Sequence, residues 1–538
     1  MGPRVHAFKV EIGIVYALGI AAVFHGVQLF VGCRWEVCFG FTLALFFGWC
    51  ACVAAGTWRS LLGLLTISFY VKTVLFGCVV KTLLLQPMDV GLEVPVETSV
   101  VFALGFAAVF LAVLLQHALP RPALPFARTP ANSPTWLSLL FLFLVLGGAA
   151  WALRFHSRID FVTNDKINLG DNFELTGNVG RAYQVVEQIA MYFPFAPAVA
   201  LFYVAARGAK KLIAHPLVIT TLLITMVPGF LEGRKTPIMV PLASVCLSLL
   251  LLRGPRYKPL WVWSAVSLVF LVCVIFPFVQ YTRYAVQQGS LAERISTIEE
   301  VAGIFSDRRG YKEIYSAAVE MDITHAPYLP LAANSLERFI RYVDASRLIA
   351  ATVHSEKYTG FYTLAWGLRQ IPPRTIYPDK PLGFINNWLS RYTGDVGPES
   401  ERTQFAYGFM ASLFNAYGYP GVLFGSFFLY GALLYWMRLF IEDRAGPTIW
   451  VVVGFFLFEN SLVEDSAGAM LRQVWLPVYI ASYSVSLNFC SKFLLDGLLR
   501  RVRVAGGLRS RFHKQLFGGD SQVSPMKLHP DKRIKDIP

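Results

Sequence analysis

The feature that most constrains this chain is a series of about twelve apolar runs, most of them long enough to cross a membrane as a helix. A bilayer core about 30 Å thick requires about 20 apolar residues in helical form. Lipid offers the backbone no water, so each span must satisfy its own hydrogen bonds, as a helix does. The runs lie at approximately 12–32, 37–55, 61–85, 99–117, 135–153, 185–205, 216–231, 236–252, 260–281, 406–437, 447–463 and 469–490.

The composition agrees with a membrane protein. The chain is 55% hydrophobic and 15% charged, whereas soluble domains carry about 25% charged residues. The sequence therefore predicts an all-α polytopic membrane protein with about 12 transmembrane helices. The runs 216–231 and 236–252 are short and nearly adjacent, which also fits a re-entrant or strongly tilted pair.

The charges of the connecting loops predict the orientation. Lys and Arg collect on the cytoplasmic side of membrane proteins. Basic residues precede the first run and recur in every second loop, at Arg4, Lys9, Arg121, Arg128, Arg207, Lys210, Lys211, Arg253, Arg256, Lys258, Arg500 and Arg501. The alternate loops are acidic, with Asp89, Glu93, Glu97 and Glu464. We therefore expect both termini in the cytoplasm, and the net charge of +14 is explained by anionic lipid without nucleic acid.

Two longer hydrophilic segments fall on the outward side, about 154–184 and 282–405. The second balances its Lys and Arg with Asp and Glu, which favours a folded, partly helical cap, and an amphipathic helix is predicted over Ser335–Val353. The resulting division is transmembrane helices 1–9 with the smaller outward loop (1–281), a large extracytoplasmic loop (282–405), transmembrane helices 10–12 (406–490) and a basic, disordered cytoplasmic tail (491–538).

Two outward stretches combine stiff backbone with positive charge. Ile371–Pro381 contains four prolines together with Arg374, Asp379 and Lys380, and proline favours an ordered, non-helical loop. Glu232–Pro237 joins two runs and places Arg234 and Lys235 in a narrow gap. These cations favour anion binding because guanidinium groups match phosphate oxygens, although charges at an ordinary hairpin can also reach the membrane interface. Further outward arginines support the first interpretation, at Arg154, Arg158, Arg283, Arg338 and Arg341.

Candidate proton acceptors are few. Glu464 and Asp465 lie between the last two runs, where they could supply a base or pair with Arg472. His325 has Asp322 nearby in sequence. The chain has no metal-ligand spacing and no glycine-rich phosphate loop, so we expect a reaction without metal or cofactor. The eight cysteines all lie in or beside apolar runs, and we interpret them as small packing residues.

Four stretches carry a resemblance to a known family, namely Gly233–Pro237, Pro372–Pro381, Tyr392–Asp395 and Asn415–Gly421. Together with about a dozen spans and one large outward loop, they resemble bacterial oligosaccharide repeat-unit polymerases of the O-antigen polymerase type, which act in exopolysaccharide and lipopolysaccharide pathways. The resemblance covers roughly 183–483, and the N-terminal third matches in hydropathy only.

The resemblance implies a glycosyltransferase of the bacterial inner membrane that joins undecaprenyl-diphosphate-linked oligosaccharide repeat units on its outer face. It also implies a chain-length regulator protein as a partner, beside the surrounding membrane lipid. Diphosphate is the leaving group, so fixed cations there would lower the barrier. We expect the diphosphate-binding residues to be Arg234, Lys235, Arg374 and Lys380, with Arg283 and Arg341 as helpers. Asp379, Glu464 and His325 are the candidate bases.

Other functions remain open at this point. An O-antigen ligase-type transferase would share the carrier and the topology and differ in its acceptor. The chain could instead be a flippase or secondary transporter of lipid-linked sugars, which is not an enzyme. Such folds typically contain internal repeats, and no repeat is evident in this sequence. A mannosyltransferase-like enzyme usually has acidic residues in its first outward loop, which here is only Cys33–Val37. A structural membrane protein would leave the arginines unexplained.

Overall fold

The computed structural model describes part of the chain, all of it within the unit Met1–Ser486. The described residues are 3–56, 60–119, 140–153, 190, 192–209, 211–232, 236–254, 257–271, 275, 278–279, 291–307, 340–371, 385–395, 397, 407–440, 467 and 471. The predicted tail 491–538 and the smaller outward loop 154–184 therefore lie outside the described residues.

The described residues are helical, and none of them forms a strand. The principal helices are α1 (Pro3–Phe30), α2 (Trp35–Ala55), α3 (Leu61–Tyr70), α4 (Phe76–Leu83), α5 (Pro95–Ala118), α6 (Ala196–Ala206), α7 (Pro216–Glu232), α8 (Thr236–Arg253), α9 (Lys258–Phe270), α10 (Leu291–Ser306), α11 (Arg341–Ser355), α12 (Tyr362–Gln370), α13 (Ile385–Tyr392), α14 (Phe409–Gly425) and α15 (Gly431–Phe440). Short π-helical segments at Val71–Leu75 and Ser426–Tyr430 join α3 to α4 and α14 to α15.

Four of the described helices are long and apolar enough to cross a membrane: Trp35–Ala55, Leu62–Leu83, Pro95–Ala118 and Phe409–Leu439. Shorter apolar helices include α7 and α8, the predicted short pair, which have 17 and 18 residues. The chain thus has the helices of a membrane protein, as the apolar runs predict. The predicted runs 447–463 and 469–490 lie almost wholly outside the described residues, so the count of twelve spans stays a prediction.

The first helix group, α1 to α5, packs through small residues on neighbouring helices. A Cβ added at Gly40 would collide with the side chain of Ser99, and one at Gly48 would collide with Tyr70. Such glycines allow helix backbones to approach closely, which is the usual way helices associate in lipid. Burial of α5 is extensive along its length, and its Gly105 accommodates Met410 of α14.

Helix α11 of the 282–405 segment inserts into this group. Tyr342 is fully buried, with its ring centroid 5.0 Å from that of Phe41 and 6.3 Å from that of Phe102. It lies directly on Gly77, where an added Cβ would come within 2.5 Å of the tyrosine ring. A helix is present where the amphipathic pattern predicts one, but it begins at Arg341, because Ile340 has a non-helical backbone (φ −87°, ψ 75°).

The second helix group consists of α6 to α9 with the helical residues 140–153. Phe193 packs closely on Gly147, where an added Cβ would come within 3.0 Å of its backbone nitrogen. Trp151 stacks on the same phenylalanine at 6.4 Å. Helix α10, from the beginning of the 282–405 segment, packs on α7. The described parts of that segment, α10 to α13, are therefore helical, as a partly helical loop requires.

Helix α14 is broken near its middle. Tyr417 (φ −146°, ψ 20°) and Gly418 (φ 65°, ψ −151°) leave the helical conformation, and Pro420 follows. Residues 409–416, before the break, are buried throughout. The start of the run predicted at 406–437 is therefore buried within the protein.

Candidate functional site

Only one of the nine predicted site residues is among the described residues, and that is Arg341. The other eight lie outside them: Arg234, Lys235, Arg283, His325, Arg374, Asp379, Lys380 and Glu464. Their assignment to the diphosphate or to proton transfer therefore stays a prediction. The structure describes the surroundings of several of them.

Arg341 is the first residue of α11 and is half-buried. It lines a small cavity of about 10 Å³ between α3, α5 and the segment 407–411, which is room for about one water molecule. Thr73, in the π-helical segment, lines the same cavity, and its Oγ1 has no hydrogen-bond partner among the described residues. An arginine and a helix N-terminus both favour negative charge here, but the space as it stands is too small for a phosphate.

Asp395 is the centre of a polar network beside α11. Its Oδ2 accepts hydrogen bonds from the hydroxyls of Tyr407 at 2.6 Å and Thr393 at 2.8 Å. Its Oδ1 lies 3.3 Å from Nη1 of Arg347. Burial, together with the bond to Asp395, raises the pKa of Tyr407 well above its usual value, so the tyrosine stays a donor. The carboxylate is thus held by three donors on three elements.

Asn415, just before the break in α14, is the centre of a second network. Its Nδ2 donates to Oγ1 of Thr352 on α11 at 2.8 Å, and its Oδ1 accepts from Oγ1 of Thr359 at 2.8 Å. The backbone carbonyls freed by the break are also satisfied. Asn415 accepts from the amide of Thr359 at 2.9 Å, and Ala416 accepts from that of Gly360 at 3.0 Å. The break is therefore bonded to the segment that follows α11.

Helix α11 links two of the four stretches on which the family resemblance rests. Arg347 contacts Asp395, and Ser355 lies 3.0 Å from the hydroxyl of Tyr392, so both ends of Tyr392–Asp395 meet α11. Thr352 bonds Asn415, the first residue of Asn415–Gly421. The other two resembling stretches, Gly233–Pro237 and Pro372–Pro381, lie outside the described residues except for Thr236 and Pro237.

Aromatic side chains form a partly exposed surface beside these networks. Tyr358 and Tyr362 are 59% and 51% exposed. The ring of Trp388 lies 4.7 Å from that of Tyr362 and 5.8 Å from that of Tyr392, on which it stacks. Tyr358 approaches Gly418 at the helix break, where an added Cβ would come within 3.0 Å of its hydroxyl. We call Tyr358, Tyr362, Trp388 and Tyr392 the aromatic platform.

A separate buried charge lies at the end of α7, next to the cationic junction 233–235. Glu232 is 5% exposed, and its Oε1 accepts a hydrogen bond from the indole of Trp151 at 2.8 Å. Arg294 of α10 is 6% exposed and donates to the carbonyl of Leu231 at 3.1 Å. Burial lowers the pKa of Arg294, and the nearby Glu232 carboxylate opposes that shift. The 282–405 segment is thus bonded through buried Arg294 to the end of α7, which directly precedes the predicted anion-binding junction.

The sequence argument missed most of these groups as site residues. Asp395 and Asn415 lie within stretches that it singled out, yet it did not assign them a role. Arg294, Arg347 and Tyr407 carried no local signal beyond their residue type. Among the described residues, no group of three or more His, Cys, Asp or Glu side chains could hold a metal ion.

Comparison with protein-family models, with curated proteins and with solved structures finds no match to this chain.

Proposed function

We propose that this chain is a membrane glycosyltransferase that polymerises undecaprenyl-diphosphate-linked oligosaccharide repeat units into a surface polysaccharide. The observation that supports it best is the juxtaposition made by α11, which bonds Tyr392–Asp395 and Asn415–Gly421 beside the aromatic platform. These are stretches that resemble the polymerase family, and they meet at a surface whose chemistry suits sugars.

The aromatic platform has the chemistry to hold a sugar ring. Pyranose rings present C–H groups on one face and hydroxyls at the rim. A tyrosine or tryptophan offers an apolar face with a polar group at its edge, and Tyr362 and Trp388 are both partly exposed. The Asp395 and Asn415 networks fix the elements that carry these rings, so the platform is ordered before substrate arrives.

In this proposal the reaction has two further components. Arg234, Lys235, Arg374 and Lys380, helped by Arg283 and Arg341, hold the diphosphate of the donor. Negative charge develops there as the bond to the anomeric carbon breaks, and fixed cations stabilise it. Asp379, Glu464 or His325 accepts the proton of the attacking hydroxyl. The large loop faces away from the cytoplasm, as the alternating basic loops predict.

A second candidate function is supported by the break in α14. Discontinuous helices with exposed backbone at a glycine or proline are typical of secondary transporters, and α14 is broken at Tyr417 and Gly418. A flippase for lipid-linked sugars would use the platform to hold the glycan during transfer across the membrane. We rank it second because Thr359 and Gly360 already bond the carbonyls of Asn415 and Ala416 at the break.

The products made by a strain that lacks this chain distinguish these functions. A polymerase defect leaves single repeat units on the surface and no long polymer. A flippase defect leaves no repeat units outside the cytoplasm, and a ligase defect leaves long polymer on its lipid carrier. Either of the last two outcomes would contradict the proposal.

The platform itself can be tested by substitution. Replacing Tyr362 with alanine removes a ring that packs at a tilt on Trp388, and we expect about a tenfold loss of polymer formation, corresponding to about 1.4 kcal/mol. Tyr362→Phe keeps the ring and should retain most activity. Phe361→Ala is the matched control, because Phe361 is 53% exposed and neighbours Tyr362 in sequence. Equal losses in Tyr362→Ala and Phe361→Ala would exclude a specific role for the platform.

A further inference from the structure

Helix α12 is apolar on both of its sides. Leu364 packs on the hydrophobic core, and Gly367 is buried. On the other side, Phe361, Tyr362 and Leu368 are 53%, 51% and 46% exposed, and a helix of about 3.6 residues per turn places these three positions together. We call them the outer face of α12. A helix that is apolar all round is normally covered on every side, so the outer face requires an apolar medium or an apolar partner.

The start of α12 is bonded to a helix that can cross the membrane. The amides of Thr359 and Gly360 donate to the carbonyls of Asn415 and Ala416, at 2.9 Å and 3.0 Å. Both carbonyls lie just before the break in α14 and within Phe409–Leu439, which is long and apolar enough to span a bilayer. The outer face therefore begins beside a helix that meets lipid.

Exposed tyrosines surround the break in α14. Tyr417 and Tyr419 are exposed, and Tyr358 approaches the glycine between them. Phe424 and Phe428 are exposed further along the same span. Tyrosine is enriched where the hydrocarbon meets the headgroups of a bilayer, whereas phenylalanine suits the hydrocarbon itself. This change from tyrosine to phenylalanine indicates that the membrane boundary lies near the break, and hence near the start of α12.

The charges around α12 suit a lipid headgroup. The helix carries no acidic residue, and its one charged residue, Arg369, lies in the last turn and is exposed next to Leu368. Glu356 and Lys357, which precede the helix, are exposed and balance each other. A long basic side chain beside an apolar surface can extend its stem along hydrocarbon and bring its charge to a phosphate.

We propose that α12 lies in the plane of the membrane interface, with Phe361 and Leu368 inserted among the acyl chains and Arg369 at the phosphates. The partner of the outer face is the phospholipid of the bilayer. Helices of this kind bury their apolar face about 5–10 Å into the boundary between headgroups and acyl chains. The inference rests on Phe409–Leu439 as a membrane span and does not depend on the proposed function.

The inserted helix would also position the aromatic platform. Tyr362 belongs to the outer face, and its ring lies 4.7 Å from that of Trp388 on α13. With α12 held by lipid, these rings would lie at the membrane surface. This part of the 282–405 segment would then rest on the bilayer, whereas the charge balance of the sequence predicts only a folded cap.

Photocrosslinking tests the proposal in the full chain. The amino acid p-benzoylphenylalanine replaces Phe361, Leu368 or Phe428 in turn, and each variant is irradiated in nanodiscs of phosphatidylglycerol and phosphatidylethanolamine. Phe428, exposed on the span, is the positive reference. Peptide mass spectrometry should find phospholipid adducts at all three positions.

Three outcomes would overturn the proposal. The first is a lipid adduct at position 428 without adducts at both 361 and 368, which would leave the outer face away from lipid. The second is a crosslink from 361 or 368 to a second copy of the chain or to another segment of it. The third is no lipid adduct at any of the three positions, because the membrane boundary on which the proposal rests would then be wrong.

A charged substitution gives an independent measurement. Leu368→Asp places a carboxylate where the proposal has acyl chains, so the amides of α12 should exchange with deuterium about tenfold faster in nanodiscs. Leu368→Ile keeps an apolar side chain and is the matched control. Phe361→Ala leaves Leu368 in place and should keep α12 on the membrane. Equal exchange in Leu368→Asp and the wild type would show that position 368 faces water, contrary to the proposal.

Discussion

The two helix groups hold the 282–405 segment by different chemistry. In the first group, α11 is anchored by an aromatic ring, Tyr342, which is fully buried against Phe41 and Phe102. In the second group, α10 is attached by a buried charge, because Arg294 donates to the carbonyl of Leu231 at the end of α7 and interacts electrostatically with buried Glu232. The same predicted loop is thus attached at one place by apolar packing and at another by a buried charge.

The two attachments differ in how strongly they depend on charge. Burial of a large aromatic ring contributes stability without any requirement for a partner charge. A buried ion pair must offset the cost of removing two charges from water, so its net contribution is small while the loss of one partner is costly. We therefore expect α11 to be a fixed part of the first helix group. The attachment of α10 should depend on the charge state around the 233–235 junction.

The largest expected effect is that of removing the apolar anchor. Tyr342→Ala should lower the free energy of unfolding by about 4 kcal/mol, the range for loss of a buried aromatic side chain. The measurement is denaturant unfolding of the purified chain in detergent. Tyr342→Phe is the control and should cost less than about 1 kcal/mol, since among the described residues the Tyr342 hydroxyl bonds only the sulfur of Met88, at 3.5 Å.

Gly77→Ala tests the same anchor from the other side. An added Cβ would come within 2.5 Å of the Tyr342 ring, so the ring must move or α11 must shift. If Tyr342→Ala unfolded at the same denaturant concentration as the wild-type chain, α11 would not be anchored through the Tyr342 ring.

The next effect is that of removing the buried charge of Arg294. Arg294→Met should destabilise the chain by about 3 kcal/mol, at the low end for a broken buried pair, since Glu232 keeps its bond from Trp151. The double variant Glu232→Gln with Arg294→Met should cost less than the two single changes added together. Glu300→Ala, an exposed change on the same helix, is the matched control. Additive costs in the double variant would contradict a direct interaction between the two side chains.

The smallest effect concerns the polar network beside α11 and appears only in alkali. The pKa of Tyr407 is raised above its ordinary 10.0 in the folded chain. Above about pH 10 the unfolded chain therefore loses this proton while the folded chain keeps it, and stability falls by about 1.4 kcal/mol per pH unit. Tyr407→Phe removes this component, so its unfolding free energy should fall less steeply between about pH 10 and 11. If the unfolding free energies of the wild type and Tyr407→Phe fell equally with pH over this range, Tyr407 would lie outside the network.

The sequence predicted the general architecture well because the constraint is strong. Apolar runs in lipid must be helical, and the described residues are helical, with four helices long enough to cross a membrane. It also predicted a helix near 335–353, but not that Tyr342 would be inserted among α2, α4 and α5. Amphipathicity identifies which face of a helix is apolar, and it does not identify the surface that receives that face.

The candidate site was harder to predict for a physical reason. Helix α11 packs on α14, and this packing brings together Arg347, Asp395 and Tyr407. The spacing of these residues in the sequence does not predict that contact. The sequence signals that could help are the stretches that carry the family resemblance, and Asp395 and Asn415 lie inside two of them. The predicted cations Arg234, Lys235, Arg374 and Lys380 were chosen by residue type and side of the membrane, and their convergence stays a prediction.

The position of the break at Tyr417 and Gly418 also bears on how deeply α14 lies in the membrane. From residue 419 to the end of α15 the chain runs on for about 22 residues, or about 33 Å of helix, close to the thickness of the hydrocarbon core. If this part fills the hydrocarbon, Gly418 lies at the boundary between acyl chains and headgroups. Tyr358 of the aromatic platform, which approaches Gly418, then lies near the headgroups of the surrounding lipids. Under the proposed function, a polyprenyl carrier would keep its tail in the bilayer and present its first sugars at that height.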